Sequence, residues 1–346
     1  MPQDAKKGCG HYGLTYVETS ELALRRRRCG KGFTYLDGSG NTVRDNALKV
    51  RIRQIAIPPA WTDVCIAADD RAHIQAIGRD AEGRLQYLYH PDWERYRATT
   101  KEQRLLQLGS ALPRVRGAVK RALVARGLTR TKAIAAVARL IDRALLRPGY
   151  EEYARKAGGR GAATLLKSDV EVEGDTVLLE FKGKGGKEIR QEVRDPLLAR
   201  VLRKLSTLPG RRLFSAPDGN GGERPITARE VNQFLAEASG VSVSAKDFRT
   251  FRATATALAF LSDRDGDTNE RLRKKAIGEA ADEASKILGN TRTVARSSYI
   301  HPGVIAAYEA GRLRAGAFSS RMRSGLTKIE SALMHFLEKN PDIARR

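Results

Sequence analysis

The feature that most constrains the fold of this chain is a change in hydrophobic periodicity near Pro91. Before this point, apolar and polar residues alternate with period two, which predicts short strands over residues 48–57, 64–67, 73–77 and 84–89, with a hairpin turn at 80–83. From Lys101 to Leu146 the apolar residues recur at helical spacing. Residues 165–193 return to period two around a turn at Gly185–Gly186, and helices resume after Asp195. We therefore predict an α+β chain, with a small antiparallel sheet followed by a mainly helical region that contains a hairpin or small sheet.

Length and composition favour two domains. The 346 residues exceed what one small core needs, and 41% hydrophobic with 30% charged residues is typical of a globular chain. We divide the chain into a basic extension (1–28), a β-rich domain (29–98) and a mainly helical domain (99–346) that ends in an amphipathic helix. Capping boxes begin helices at Thr227 and Thr327. The run Arg25–Arg28 favours either a solvated tail or an arm that contacts phosphate.

The formal net charge of +23 points to a polyanion, most often nucleic acid, as the partner. No run of eighteen apolar residues is present, which argues against a membrane span, and the first ten residues lack the apolar core of a secretory signal. Cys9, Cys29 and Cys65 are scattered and suit no disulfide framework, as is common in a reducing cytoplasm. We expect a cytoplasmic, nucleoid-associated protein.

Two patterns could indicate a metal, and both are weak. The acidic run Asp263–Asp267 lacks the spacing of a calcium loop and predicts a solvated turn. Cys9, His11 and Cys29 would ligate zinc only with a missing fourth ligand. The sequence also contains no phosphate-binding loop for a nucleoside triphosphate. We therefore expect no metal and no cofactor.

Five polar residues lie at junctions between predicted elements. Each has an ordinary explanation when taken alone: a surface arginine, an exposed hairpin lysine, an asparagine after a helix, or a partly buried tyrosine. They are Arg147 before the helix-ending Pro148, Lys184 at a hairpin tip, Arg249 near a helix start, Asn290 after Gly289, and Tyr299 nine residues further on.

Their order and spacing resemble the type IB DNA topoisomerases, most closely the compact form of poxviruses and bacteria. The motifs are Leu-Leu-Arg-Pro-Gly, Phe-Lys-Gly-Lys, Lys-Asp-Phe-Arg-Thr, and Leu-Gly-Asn followed by the tyrosine. Residues 57–64, 73–80 and 83–90 also resemble signature segments of this family, so that the resemblance covers about residues 43–308. It implies the catalytic fold that these enzymes share with the tyrosine recombinases. The short interval between Asn290 and Tyr299 leaves no room for the linker of the large nuclear enzymes.

The resemblance implies a mechanism that relaxes supercoiled DNA without ATP or metal. Tyr299 would attack a phosphodiester and hold the broken strand as a covalent 3′-phosphotyrosine. Arg147 and Arg249 would stabilise the charge of the transition state, and Lys184 would protonate the leaving 5′-oxygen. Asn290 stands where most relatives carry histidine, and its amide can still donate a hydrogen bond to a phosphate oxygen.

The resemblance also implies contacts to double-stranded DNA. We expect a monomer whose two lobes, joined near residues 91–98, clamp the duplex with no membrane involved. For the tyrosines among the expected contacts, a strand with one packed aromatic face is the alternative. The expected DNA-binding residues are Arg84, Gln86, Tyr87, Tyr89 and Lys246.

Two other functions remain open from the sequence. A site-specific tyrosine recombinase would share the fold and the tyrosine chemistry, but such enzymes usually carry histidine where this chain has Lys246. A non-enzymatic, basic DNA-binding protein would explain the charge, but it would leave the ordered set of five residues as a coincidence.

Overall fold

The computed structural model describes residues 2–217, 222–264, 269–313 and 322–340. The described residues form two compact units, one up to Thr100 and the other from Lys101 onwards. Part of the predicted acidic turn, residues 265–267, lies outside the described residues. Within the described ranges, every helix is too short or too polar to cross a membrane.

The first unit is built around a five-stranded antiparallel sheet, and three of its strands coincide with strands that the alternating pattern predicts. Its strand order is β2-β1-β3-β4-β5, and β4 is buried along most of its length. The turn between β4 and β5 closes with a hydrogen bond from the Gly83 amide to the Asp80 carbonyl oxygen. The elements are α1 (Pro2–His11), β1 (Leu24–Cys29), β2 (Gly32–Leu36), α2 (Asn46–Gln54), β3 (Thr62–Ile66), β4 (Ile74–Arg79) and β5 (Leu85–Tyr89).

The prediction of a strand over residues 48–57 is wrong, because most of this segment forms helix α2. The Asp45 side chain caps the helix by accepting hydrogen bonds from the amides of Ala47 and Leu48. Leu48, Ile52 and Ile55 recur at helical spacing and pack in one apolar cluster. Val50, which belongs to the same period-two pattern, is 50% exposed. The same residues therefore satisfy both periodicities, and capping and packing select the helix.

Arg25–Arg28 is neither a solvated tail nor a free arm, because these residues form most of β1. The strand pairs with β2 along its length and with β3 at its beginning. The Arg26 guanidinium lies over the Phe33 ring and donates hydrogen bonds to the carbonyl oxygens of Pro58 and Trp61, at 3.1 and 2.6 Å. The sheet thus holds the main chain of the basic run, while Arg25, Arg27 and Arg28 remain exposed.

The second unit is mainly helical and contains a three-stranded antiparallel sheet, in the order β6-β7-β8, with a separate pair of short strands, β9 and β10. Its elements begin with α3, which starts in the first unit. They are α3 (Pro91–Val124), α4 (Arg130–Ala144), α5 (Glu151–Ala157), β6 (Val170–Glu173), β7 (Thr176–Lys182), β8 (Glu188–Arg194), α6 (Pro196–Ser206), β9 (Ser215–Pro217), β10 (Glu223–Pro225), α7 (Ala228–Ser239), α8 (Ala245–Ser262), α9 (Glu270–Leu288), α10 (Arg292–Val294), α11 (Pro302–Glu309) and α12 (Lys328–Lys339). Tight 3-10 turns occur at Thr19–Glu21 in the first unit and at Ala162–Thr164, Lys167–Asp169 and Lys184–Gly186 in the second, and a π-helical turn spans Ala295–Tyr299.

Helix α8 lies in the middle of the helical unit, where it contacts α4, α9, α11 and α12. It is buried along most of its length, with Phe248, Phe251 and Leu258 in the main apolar core. The predicted capping boxes at Thr227 and Thr327 are confirmed at the starts of α7 and α12. This arrangement places the first turns of α8 among the chain segments that carry the other predicted catalytic residues.

Candidate active site

Arg147 lies in a tight loop directly after α4. The helix ends at Leu145, whose φ of 52° is left-handed, and Pro148 prevents its continuation. The loop packs on residues 161–163, where the amide of Ala162 donates to the Arg147 carbonyl oxygen at 2.8 Å. A side chain at Gly149 would collide with Gly161, which explains the glycine at this position. The main chain of Arg147 is therefore held firmly behind its guanidinium.

Arg249 enters the site from the first turn of α8 and is only 1% exposed. Its Nε donates to the Tyr299 hydroxyl oxygen at 3.3 Å, and its guanidinium carbon lies 4.9 Å from the centre of the Tyr299 ring. Its other nitrogens donate to the carbonyl oxygens of Leu145 and Leu288. These contacts fix a permanent positive charge beside the tyrosine.

Asn290 joins the two arginines. The side chain is 7% exposed, and its Oδ1 accepts hydrogen bonds from Arg147 at 2.6 Å and from Arg249 at 3.3 Å. Gly289 directs the chain into this position with a left-handed φ of 62° after α9. The Asn290 Nδ2 is buried and has no hydrogen-bond partner among the described residues. A buried amide donor is thus left unused beside two guanidinium groups.

Tyr299 ends the π-helical turn and is 8% exposed. Its carbonyl oxygen accepts a hydrogen bond from the Thr254 hydroxyl at 3.1 Å. Burial acts to raise the pKa of the Tyr299 hydroxyl, but the charge and the hydrogen bond of Arg249 act against burial. Arg147 and Lys246 add to this effect, so that the pKa of Tyr299 lies below its ordinary value. The surrounding positive charges therefore make the Tyr299 hydroxyl easier to deprotonate than that of an ordinary tyrosine, and the phenolate is the nucleophilic form.

Lys184 occupies the turn between β7 and β8, as predicted. Its side chain is exposed, and the residue lines a small cleft together with Arg147 and Arg249. Lys187, at the end of the same turn, donates from its Nζ to the Asn290 carbonyl oxygen at 2.9 Å. The hairpin tip is thereby joined to the segment that carries Asn290.

The predicted DNA-binding residues fall in different units. Lys246 is exposed in the first turn of α8, near Arg249. The other four lie at or beside β5 in the first unit. Contacts within the protein hold these four side chains. The Tyr87 and Tyr89 rings stack with their centres 5.9 Å apart. Arg84 and Gln86 donate hydrogen bonds to the Asp80 carboxylate at 2.8 and 2.7 Å.

Sequence reasoning assigned neither Lys187 nor Lys101 to this site. The Lys101 Nζ, from α3, donates to the carbonyl oxygens of Ile300 at 2.7 Å and Ser298 at 3.4 Å. Both lysines bind main-chain carbonyl groups, and such contacts leave no motif in the sequence. Among the described residues, no group of three or more histidine, cysteine or acidic side chains could hold a metal ion.

Comparison with known proteins gives two family matches and one curated relative. Residues 91–316 match the catalytic core of eukaryotic DNA topoisomerase I, and residues 32–80 match the N-terminal domain of bacterial DNA topoisomerase IB. The chain is 30% identical over 293 residues to DNA topoisomerase 1B of Acanthamoeba polyphaga mimivirus. This alignment covers 83% of the present chain and 87% of the relative.

Proposed function

Since this chain belongs to the type IB DNA topoisomerases, in their compact form, we propose that it relaxes supercoiled DNA through a covalent tyrosine intermediate on Tyr299. The family makes the protein an isomerase that acts on DNA. The observation that carries the finer proposal is a chain of hydrogen bonds: Arg249 donates to the Tyr299 hydroxyl, and Arg147 and Arg249 both donate to Asn290.

The reaction is a transesterification that conserves the phosphodiester. The Tyr299 oxygen attacks the phosphorus of the DNA backbone, the bond to the 5′-oxygen breaks, and the strand is held as a 3′-phosphotyrosine. Religation reverses these steps when the 5′-hydroxyl attacks the phosphotyrosine. ATP is not needed, because the energy of the broken bond is stored in the new one. The lowered pKa of Tyr299 supports its role as the attacking group.

Negative charge builds on the two non-bridging oxygens in the transition state. Arg147 and Arg249 present permanently charged, planar donors, which stabilise such charge without a metal ion. The unused Nδ2 of Asn290 is a third donor for the phosphate, and a phosphate oxygen would satisfy its hydrogen-bonding requirement. This supports the same role for asparagine that histidine has in most relatives.

The leaving 5′-oxygen requires a proton. Lys184 lies on the hairpin turn at the edge of the cleft that Arg147 and Arg249 also line. A lysine in this position can act as the general acid, while the arginines bind charge and do not transfer a proton.

Double-stranded DNA is the substrate, and we propose that the enzyme binds it as a monomer that closes around the duplex. The net charge of +23 supports binding through phosphates, with Lys246 and four residues at or beside β5 as contacts: Arg84, Gln86, Tyr87 and Tyr89. We expect this DNA to be that of the nucleoid, in the cytoplasm. The logarithm of the binding constant should fall linearly and steeply with the logarithm of salt concentration. A shallow slope, measured with Tyr299→Phe to prevent cleavage, would contradict phosphate-dominated binding.

Relaxation of a supercoiled plasmid in excess chelator and without ATP tests enzyme class, metal independence and energy source together. Tyr299→Phe should abolish relaxation and the covalent adduct while it leaves duplex affinity nearly unchanged, because it removes only the nucleophilic oxygen. Tyr308→Phe, at the next tyrosine along the chain, is the matched control and should retain both relaxation and adduct formation. An adduct that persists in Tyr299→Phe would assign the nucleophile to another residue.

A further inference from the structure

Three consecutive carbonyl groups around the nucleophile are bound by side chains. Residues 298–300 end a π-helical turn, and the last carbonyls of a helical segment have no partner within the helix. The Tyr299 carbonyl oxygen accepts from the Thr254 hydroxyl, while those of Ser298 and Ile300 accept from Lys101. The main chain is thus fixed on both sides of the tyrosine.

The two donors come from different helices of the second unit. Thr254 lies one turn beyond Arg249 in α8, and its hydroxyl oxygen also accepts from the His301 amide at 3.1 Å. Lys101 lies in α3 and is partly buried, with its shorter contact, of 2.7 Å, to the carbonyl oxygen of the buried Ile300. An ammonium group carries three protons, so that one lysine can serve two carbonyls, whereas a hydroxyl has a single proton to donate.

We propose that Lys101 is a positioning residue for cleavage: it holds the carbonyls that flank Tyr299 and thereby keeps the phenol oxygen beside Arg249. The proposal rests on the proposed function of Tyr299 as nucleophile. Lys101 acts through the main chain and does not touch the scissile phosphate. Because the attacking oxygen must lie in line with the leaving group, a displacement of about 1 Å can cost about 100-fold in rate.

A lysine in so basic a protein has an obvious alternative role, which is to bind a DNA phosphate. The two roles affect different quantities. A phosphate contact contributes to affinity and to its salt dependence, and it matters little once the enzyme is saturated with DNA. A positioning contact changes the rate constant at saturation and leaves affinity almost unchanged.

The experiment is single-turnover cleavage, at saturating enzyme, of a duplex whose short 5′-hydroxyl fragment dissociates after the cut. Lys101→Met should lower the rate constant by about 10- to 100-fold, both with the natural 5′-oxygen and with sulfur in its place. Sulfur should not restore the rate, because the substitution displaces the attacking Tyr299 oxygen and does not affect protonation of the leaving group. Lys101→Arg, which keeps several donors, should remain within about threefold of wild type. Lys120→Met, which removes an exposed positive charge from the same helix, should leave the rate unchanged.

Three results would overturn the proposal: an unchanged rate at saturation together with weaker binding, full recovery of Lys101→Met on the sulfur substrate, or an equal loss in Lys101→Arg. If Lys101→Met does not fold, Lys101→Gln replaces it, because its shorter side chain cannot span both carbonyls and should also slow cleavage. Peptide mapping of the wild-type adduct separates this test from the proposed function. An adduct on Tyr299 with a normal rate in Lys101→Met would refute only the positioning role.

Discussion

Arg249 carries a full charge in the interior of the protein without a carboxylate partner among the described residues. An isolated buried charge is costly unless hydrogen bonds compensate it. Here the compensation comes from neutral oxygens: two main-chain carbonyls, the Asn290 side chain and the Tyr299 hydroxyl. Because none of these acceptors carries a full negative charge, the positive potential of the guanidinium remains available to an anionic phosphate.

Lys184 and Arg249 should respond differently to a change of leaving group. Lys184→Ala should slow cleavage by about 10²–10⁴-fold, the usual contribution of general acid catalysis. Sulfur in place of the 5′-oxygen leaves without a proton, so this variant should cleave the sulfur substrate at nearly the wild-type rate. Arg249→Ala should stay slow on both substrates, because sulfur does not relieve the charge on the non-bridging oxygens. Cleavage of both substrates in a rapid-quench assay measures these ratios, and equal impairment of Lys184→Ala on both would remove its assignment as the acid.

At the scale of elements, a hydrogen bond attaches the β7–β8 hairpin to the loop after α9. Lys187 donates to the main chain of Asn290, three residues after Lys184 in the same turn. Gly185 and Gly186 both have positive φ, of 73° and 74°, which allows so tight a turn between the two lysines. The contact therefore places the proposed acid and the proposed phosphate donor relative to each other.

Lys187→Met should release the hairpin tip and so misplace the proton donor. We expect cleavage of the 5′-oxygen substrate to fall about 10-fold, and cleavage of the sulfur substrate to fall less, because the latter needs no proton. Lys182→Met removes the same charge from an exposed position of the hairpin and should change neither rate. Equal losses on the two substrates in Lys187→Met would show that the contact serves Asn290 rather than Lys184.

At the scale of the whole molecule, a buried ionic network joins the last described helix, α12, to helices α3, α4 and α8 of the same unit. Arg116 of α3 donates to Asp142 of α4 and to the fully buried Glu330 of α12, with distances of 2.8–2.9 Å. Glu330 also accepts from Arg252, which follows Arg249 by three residues in α8, at 3.2 Å. The docking of α12 thus supports the helix that carries the central arginine of the site.

Glu330→Gln should destabilise the fold and change its response to acid. Burial acts to raise the pKa of Glu330, but the hydrogen bonds and charge of Arg116 outweigh it and hold the pKa at about 2. A folded-state pKa below the ordinary 4.5 means that the carboxylate stabilises the fold above that pH, and that this stability is lost as the pH falls towards 2. We expect Glu330→Gln to lose about 3–5 kcal/mol at neutral pH, the usual cost of breaking a buried ion pair.

Urea unfolding measured across the acid range provides the test, and the dependence of stability on pH should be flatter in Glu330→Gln than in wild type. Glu338→Gln is the control, because Glu338 pairs with Arg323 on the exposed side of α12. It should cost less than about 1 kcal/mol. Similar losses in the two variants would mean that the network does not anchor α12.

The sequence by itself determined the fold class, the family and the first residues of the two helices that begin with capping boxes. Side-chain patterns carry this information: the alternation in β3–β5 and β6–β8, the boxes at Thr227 and Thr327, and the glycine before Asn290 are all confirmed in the structure. The family matches support a topoisomerase rather than the recombinase or the architectural protein that the sequence left open. The five residues proposed for catalysis were named because their order and spacing resemble those of the type IB topoisomerases.

Only the tertiary structure decided how ambiguous segments fold and how the site is held together. Residues 48–57 fit two periodicities, and burial of Ile52 against the sheet cluster selects the helix. The run Arg25–Arg28 predicts a solvated tail or an arm when only its composition is considered, but its main chain pairs with the neighbouring strands β2 and β3. Lys101 and Lys187 bind carbonyl groups nearly 200 and 103 residues away in the chain. Every residue has a carbonyl group, so a contact to one leaves no trace in the sequence until folding brings the two partners together.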